Sequence, residues 1–243
     1  MVGTSETEKR IAAIVEELVL ANRILLHHKV VDAFGHVSSR HPAQPDRFLL
    51  ARRLAPGLVH AEDIREFGMD GELIDKDGTP TFLERYIHSA IYAARPDVHS
   101  VVHSHSDSVL SFSVVPSQPL RAVCHTATFL GDGAPVFEIR DAAGTDSNLL
   151  ISNQVLGVAL AKSLGKKSVV LMRGHGSTVV GGSVPQAVYC AVYTKTNAQV
   201  QAAAMALGPV IYLSAGEAET GDRSASVAIE RTWDFWTSEL ATS

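Results

Sequence analysis

The sequence predicts an α/β chain folded as one domain, and three observations carry that expectation. Apolar residues recur at helical spacing in four long stretches, 5–28, 80–95, 148–164 and 184–207. Between them lie strand-like segments at 30–40, 47–51, 98–106 and 167–172, the alternating or continuously apolar runs expected of half-buried and buried strands. The 243 residues, 46% hydrophobic and 19% charged, match ordinary globular usage and suffice for a single well-buried core over 1–243.

The elements follow in order. Ser5 and Glu8 have the spacing of a capping box, and Ile11, Ile14, Val15, Leu18, Ala21 and Leu25 then form an apolar stripe interrupted by Asn22. His27, His28 and Lys29 mark its end, where cations complement the helix dipole. The 30–40 strand carries a tight backbone feature at Gly35, and His41, Pro42 and Pro45 separate it, hairpin-like, from the strand 47–51. Asp70-Gly71 joins two short strands, 67–69 and 72–74. Pro80 and Thr81 open the second helix, which Pro96 stops. A short helix is expected over 108–115, and Gly165 ends the helix 148–164. Ser183 and Pro185 start the long helix 184–207. A short strand at 210–213 and a final amphipathic helix carrying Ile229, Trp233 and Phe235 or Trp236 complete the chain.

Composition excludes several classes of function. A net charge of −5 and a pI near 6.1 leave no footprint for nucleic acid or an anionic membrane, so the expected partner is a small molecule. Cys124 and Cys190 are too few and too far apart for a disulfide framework or a thiolate metal site, which suits a reducing cytoplasm. The N-terminus lacks the basic-then-apolar pattern of a signal peptide. Walker, Rossmann and Gly-x-Ser-x-Gly motifs are absent from the sequence.

What remains is a histidine-rich strand. His103 and His105 share one face of 98–106, and two adjacent imidazoles make a poor core but half of a metal site. His175, between Gly174 and Gly176 at the end of an apolar strand, is a third ligand candidate. Glu84 and His88 stand four apart on the helix, either as a surface pair or with one of them turned inward to the metal. Three imidazoles and a carboxylate suit Zn, Mn, Fe or Co.

This constellation resembles the class II aldolase/adducin family, which carries a glutamate at a helix start, His-x-His on the next strand and a later His-Gly. Glu84, His103, His105 and His175 match those positions, and the resemblance covers roughly residues 8–207. It implies a three-layer α/β/α sandwich around a mainly antiparallel sheet, one Mn²⁺ or Zn²⁺, and a homotetramer with active sites at subunit interfaces. Two departures bear on the substrate. Gly35-His36-Val37-Ser38 stands where sugar-phosphate aldolases have Gly-Asn-Val-Ser, and Phe82-Leu83 replaces small hydroxyl residues before the glutamate. A phosphorylated sugar would lose its hydrogen bonds there.

Gly-His-Val-Ser, with Arg-Phe-Leu-Leu-Ala-Arg at 47–52, is similar to the decarboxylase branch, including the 3-hydroxy-2-methylpyridine-4,5-dicarboxylate and dihydroxyphthalate decarboxylases. The resemblance implies a metal-dependent decarboxylase of a hydroxylated aromatic or pyridine dicarboxylate, with charge stored as an enolate or phenolate. Glu84 is then a fourth ligand or the proton carrier, and His36 a second acid/base candidate. Ser38 is a substrate contact, and Arg40, Arg52 and Arg173 compete for the second carboxylate, with Arg52 favoured. An aldolase or epimerase on an unphosphorylated hydroxy acid, and a non-catalytic adducin-like protein, are the alternatives.

Overall fold

The computed structural model describes residues 5–223 and 225–241. The chain runs α1 (Glu6–His27), β1 (His36–Arg40), β2 (Arg47–Ala51), β3 (Ile64–Gly68), α2 (Arg85–Ala94), β4 (Ser100–Ser104), α3 (Asp107–Ser113), β5 (Val136–Phe137) and α4 (Arg140–Ala143). It continues through α5 (Gln154–Leu164), β6 (Val169–Met172), β7 (Gly176–Gly181), α6 (Val184–Leu207), α7 (Ala215–Arg223) and α8 (Ala225–Ala241). The strands form one sheet in the order β3-β2-β1-β4-β7-β6-β5, antiparallel throughout except for β5 against β6.

Strand alternation sorts side chains to two faces and so builds three layers. Val37, Leu49, Val102, Val169, Leu171 and Val179 face a core shared with Leu18, Ile24 and Leu25 of α1, Phe112 of α3, Val188 and Val192 of α6, and Trp236 of α8. Their neighbours Phe48, Leu50, Val101, Val170, Met172 and Val180 face the opposite core, made with Ile87 and Ile91 of α2 and Leu156, Leu160 and Leu164 of α5. Each fully buried large aliphatic side chain contributes about 2 kcal/mol. The α/β/α sandwich with a mainly antiparallel sheet is the expected architecture.

The capping box at Ser5 and Glu8 is formed, and Asn22, buried in the α1 stripe, satisfies its amide on the Leu18 carbonyl. Several boundaries differ from expectation, each for a physical reason. Residues 30–35 are not strand; β1 starts only after Gly35, whose φ of +102° turns the chain where the His103 carbonyl approaches closely. The second helix begins at Arg85 rather than Pro80, with Glu84 at its cap. The helix expected from 148 begins at Gln154, capped by Asn153, because the backbone at 149–151 is engaged elsewhere. Residues 210–213 are irregular, tied by the Leu213 amide to the Ala122 carbonyl. Strand β7 and helices α4 and α7 are additions to the expected set. No helix among the described residues is long and apolar enough to cross a membrane.

Candidate active site

The register brings the site together. His36 of β1 pairs with His103 of β4, and His103 pairs with Thr178 of β7, so one end of the sheet gathers histidines from distant parts of the chain. His105 lies just past β4, His175 sits in the turn from β6 to β7, and Glu84 reaches in from the cap of α2. Their ligand atoms all lie within 4.8 Å of one another. His105 Nε2 is 3.0 Å from both His103 Nε2 and His175 Nε2, while Glu84 Oε2 is 3.6 Å from His103 Nε2 and 3.4 Å from His175 Nε2.

The backbone decides which nitrogens face inward. His103 Nδ1–H donates to the Ser177 carbonyl at 3.1 Å, and His175 Nδ1–H donates to the Leu149 carbonyl at 2.8 Å. A carbonyl can only accept, so both rings carry their proton on Nδ1 when neutral and turn bare Nε2 lone pairs to the centre. Glu84 Oε1 accepts from the Ile151 amide at 2.9 Å, which orients the carboxylate. The 149–151 segment is therefore a clip for two of the four groups, and Leu149 is held in the left-handed region at φ +67° to make it.

The electrostatics match the geometry. Burial pushes His103 and His105 below their ordinary range, so both are neutral donors. Burial would raise the Glu84 carboxyl, but the hydrogen bond to His175, the electrostatic pull of the adjacent His103 and His175 rings and the Ile151 amide hold it well below the usual carboxylate range. Burial would lower His175, but the hydrogen bond to Glu84 and the carboxylate's charge raise it, and a divalent cation at the centre would take over the partner role that each now fills for the other. The donor set fits a borderline metal.

A cleft of about 120 Å³ opens onto this centre, lined by Phe34, Gly35, His36, Phe82, Leu83, Glu84, His103, His105 and Leu150. That is below the usual 300–1,000 Å³ of a small-molecule pocket. Phe34, 64% exposed, stacks on His105 with ring centroids 5.9 Å apart. A larger cleft around Asp46, Met69, Glu72 and Lys76 includes none of the four ligand candidates.

Of the other sequence candidates, His36 lines the cleft, its ring 4.6 Å from Phe82. Ser38 is fully buried behind His36 and bonds His88 and Tyr92, so it does not face the cleft. Arg40 lies at the other end of the sheet, its guanidinium spent on the carbonyls of Pro45, Tyr92, Arg95 and Val98. Arg52 follows β2 directly and is not among the residues lining the cleft; its Nε pairs with Asp63 at 2.6 Å, and its other guanidinium nitrogens carry no hydrogen bond among the described residues. Arg173 is ion-paired with Glu138 at 2.6 Å. Sequence reasoning missed Phe34, the 149–151 clip and the buried Tyr92; the spacing of Glu84 and His88 was the only signal near that network.

The Glu138 carboxyl is held down at about 2 by hydrogen bonds from Arg140 and then Arg173. Its folded pKa lies below the ordinary 4.5, so the stability from this pairing is full above pH 4.5 and is lost as pH falls toward 2. Melting curves should therefore show wild type losing its advantage over Glu138→Gln across that window. The pair is partly exposed and the effect small, and a difference that does not change with pH would remove the pairing as its source.

Comparison with known proteins gives three findings. The profile of the Class II Aldolase and Adducin N-terminal domain matches residues 16–202. Decarboxylase tropJ of Talaromyces stipitatus is 37% identical over 251 residues, covering 94% of each chain, and 3,4-dihydroxyphthalate decarboxylase of Arthrobacter keyseri is 30% identical over 200 residues, covering 75% of each. Among solved structures, the L-fuculose 1-phosphate aldolase from Glaciozyma antarctica PI12 superposes with a TM-score of 0.79 at 23% identity, over 99% of this chain and 93% of that one, a likeness of fold.

Proposed function

Because the chain belongs to the class II aldolase and adducin family, we propose that it is a carbon–carbon lyase, a metal-dependent decarboxylase of a hydroxylated aromatic or pyridine dicarboxylate. The observation that carries this reading is the wall of the cleft. Phe34, Phe82, Leu83 and Leu150 surround the histidine cluster with apolar surface, which suits a flat ring and itself offers a sugar phosphate no hydrogen-bond donor.

His103, His105, His175 and Glu84 would hold the divalent ion, Mn²⁺ or Zn²⁺. When bound, it supplies Lewis-acid stabilisation of the negative charge that develops as the carbon–carbon bond breaks. Glu84 takes the role of ligand rather than proton carrier, since both oxygens are engaged, one by the Ile151 amide and one toward two imidazoles. Phe34 packs the substrate ring, the apolar wall keeps bulk water from the reacting carbon, and His36 meets the substrate through Nε2. Arg52, whose terminal guanidinium nitrogens carry no hydrogen bond among the described residues, is the candidate to grip the second carboxylate. The small cleft supports a site completed at a subunit interface of a homotetramer.

The reading is tested by a panel of hydroxylated benzene and pyridine dicarboxylates with Mn²⁺ or Zn²⁺, following CO2 and aldehyde together. Release of CO2 without aldehyde is expected, whereas aldehyde release from hydroxy acids would make the enzyme an aldolase. On the best substrate, Phe34→Ala should raise KM about fivefold through lost ring contact. An unchanged KM would remove Phe34 from the ring site.

A further inference from the structure

Behind the cleft runs a chain of four buried polar side chains: His36 Nδ1 to His88 Nε2 at 2.7 Å, His88 Nδ1 to Ser38 Oγ at 2.6 Å, and Ser38 Oγ to the Tyr92 hydroxyl at 2.7 Å. None is more than 4% exposed. Such a chain has two possible directions of donation, and proton counting selects one. Tyr92 is a fully buried phenol whose side-chain hydrogen-bond partner is Ser38 Oγ, while the Arg40 guanidinium over its ring can accept nothing. The reverse direction would leave the phenol proton unspent in the core, so Tyr92 donates to Ser38.

Every later step then follows. Ser38 has one proton and gives it to His88 Nδ1, which must be bare to accept it. His88 therefore carries its proton on Nε2 and donates to His36 Nδ1, which must also be bare. His36 is left with its proton on Nε2, the ring nitrogen remaining to the cleft.

We propose that Tyr92, Ser38 and His88 form a one-way relay that locks His36 as a neutral imidazole with Nε2–H facing the substrate. His36 is then a hydrogen-bond donor to an oxygen on which negative charge grows, and not the base that removes a proton. A neutral imidazole is a weak acid, so its contribution is polarisation, with no net proton passed along the relay. His88 is a positioning residue: it touches His36 and sets its tautomer without reaching the cleft lining. Burial of both rings, which lowers His36 and His88 far below the ordinary histidine range, agrees with the neutral forms. The direction of the relay stands on the hydrogen bonds alone; its use on a substrate oxygen rests on the decarboxylase reading.

The test is ¹⁵N nuclear magnetic resonance of histidine-labelled, zinc-loaded protein, with His36 assigned by its loss in His36→Gln. The expected result is a bare Nδ1 and a protonated Nε2 at neutral pH; a protonated Nδ1 overturns the relay. Tyr92→Phe removes the proton that sets the direction, so His36 should become a mixture of tautomers. On the best substrate kcat should then fall about two- to tenfold, as the competent fraction falls, with KM and metal content unchanged. A single unchanged tautomer in Tyr92→Phe overturns the proposal, and Ser38→Ala, which cuts the same link, serves if Tyr92→Phe does not fold. A panel that yields no CO2 overturns the decarboxylase reading and leaves the tautomer result standing.

Discussion

Replacing His103 with alanine is expected to remove the metal and the activity together. His103 sits at the junction of β1, β4 and β7, fully buried, with ring contacts to His36, His105 and His175 at centroid distances of 5.0, 4.9 and 5.0 Å. Its loss removes one of the two nitrogens whose lone pair the backbone aims inward, and leaves three donors around a larger void. Elemental analysis should fall from about one divalent ion per chain to about a tenth, and turnover by about a thousandfold or more. The orphaned Ser177 carbonyl and the cavity should also cost about 2–4 kcal/mol in urea unfolding. Full turnover by a metal-free preparation of the variant would overturn the metal-dependent scheme.

The second large effect is expected at Gly176, through stability. A Cβ there would lie well inside van der Waals distance of the Ser104 carbonyl oxygen and 3.2 Å from His105 Cα. The two strands that present His105 and His175 approach through that missing side chain, and both contacts are backbone, which cannot swing aside. Gly176→Ala should lose about 3–5 kcal/mol and bind metal more weakly, because relief of the clash moves His105 away from His175. Gly216→Ala is the control: a Cβ in that helical position meets nothing within 4 Å, so it should be neutral or stabilising. Equal urea midpoints for the two variants would show that the close approach is not rigid.

The two glycines around His175 show how far sequence reading reaches. A histidine between glycines was legible as a special backbone site, but the glycines do different jobs. Gly174 adopts φ +68° in the turn, while Gly176 admits the neighbouring strand. Sequence spacing cannot distinguish a torsional need from a spatial one. The helix expected from residue 148 fails for a related reason: the apolar period is present, yet the Leu149 carbonyl and Ile151 amide bond His175 and Glu84, and backbone engaged there cannot enter a helix. Strand β7 was hidden because Gly176 and Gly181 bound a run of only four residues, Ser177-Thr178-Val179-Val180, whose strand character comes from its two neighbours.

Arg40 and Ser38 mark the same limit among side chains. Their types suit carboxylate binding, but Arg40 is spent on four carbonyls at the far end of the sheet and Ser38 on two buried hydrogen-bond partners. A polar side chain on an inward face must first satisfy the core, and all but one of the partners met by these two lie fifty or more residues away.

The sequence by itself determined the donor types, the alternation that sorts residues to two faces of a sheet, and the apolar replacements at Phe82 and Leu83 that argue against a phosphate. Those are local properties, set by side-chain chemistry and the periods of strand and helix. Only the tertiary structure decided which nitrogen of each histidine faces the centre, that Glu84 is held by a backbone amide, and that His36 is backed by His88, Ser38 and Tyr92. The physical reason is that a lone pair's direction is fixed by the partner of the opposite nitrogen, and those partners come from chain segments that only the folded sheet brings together.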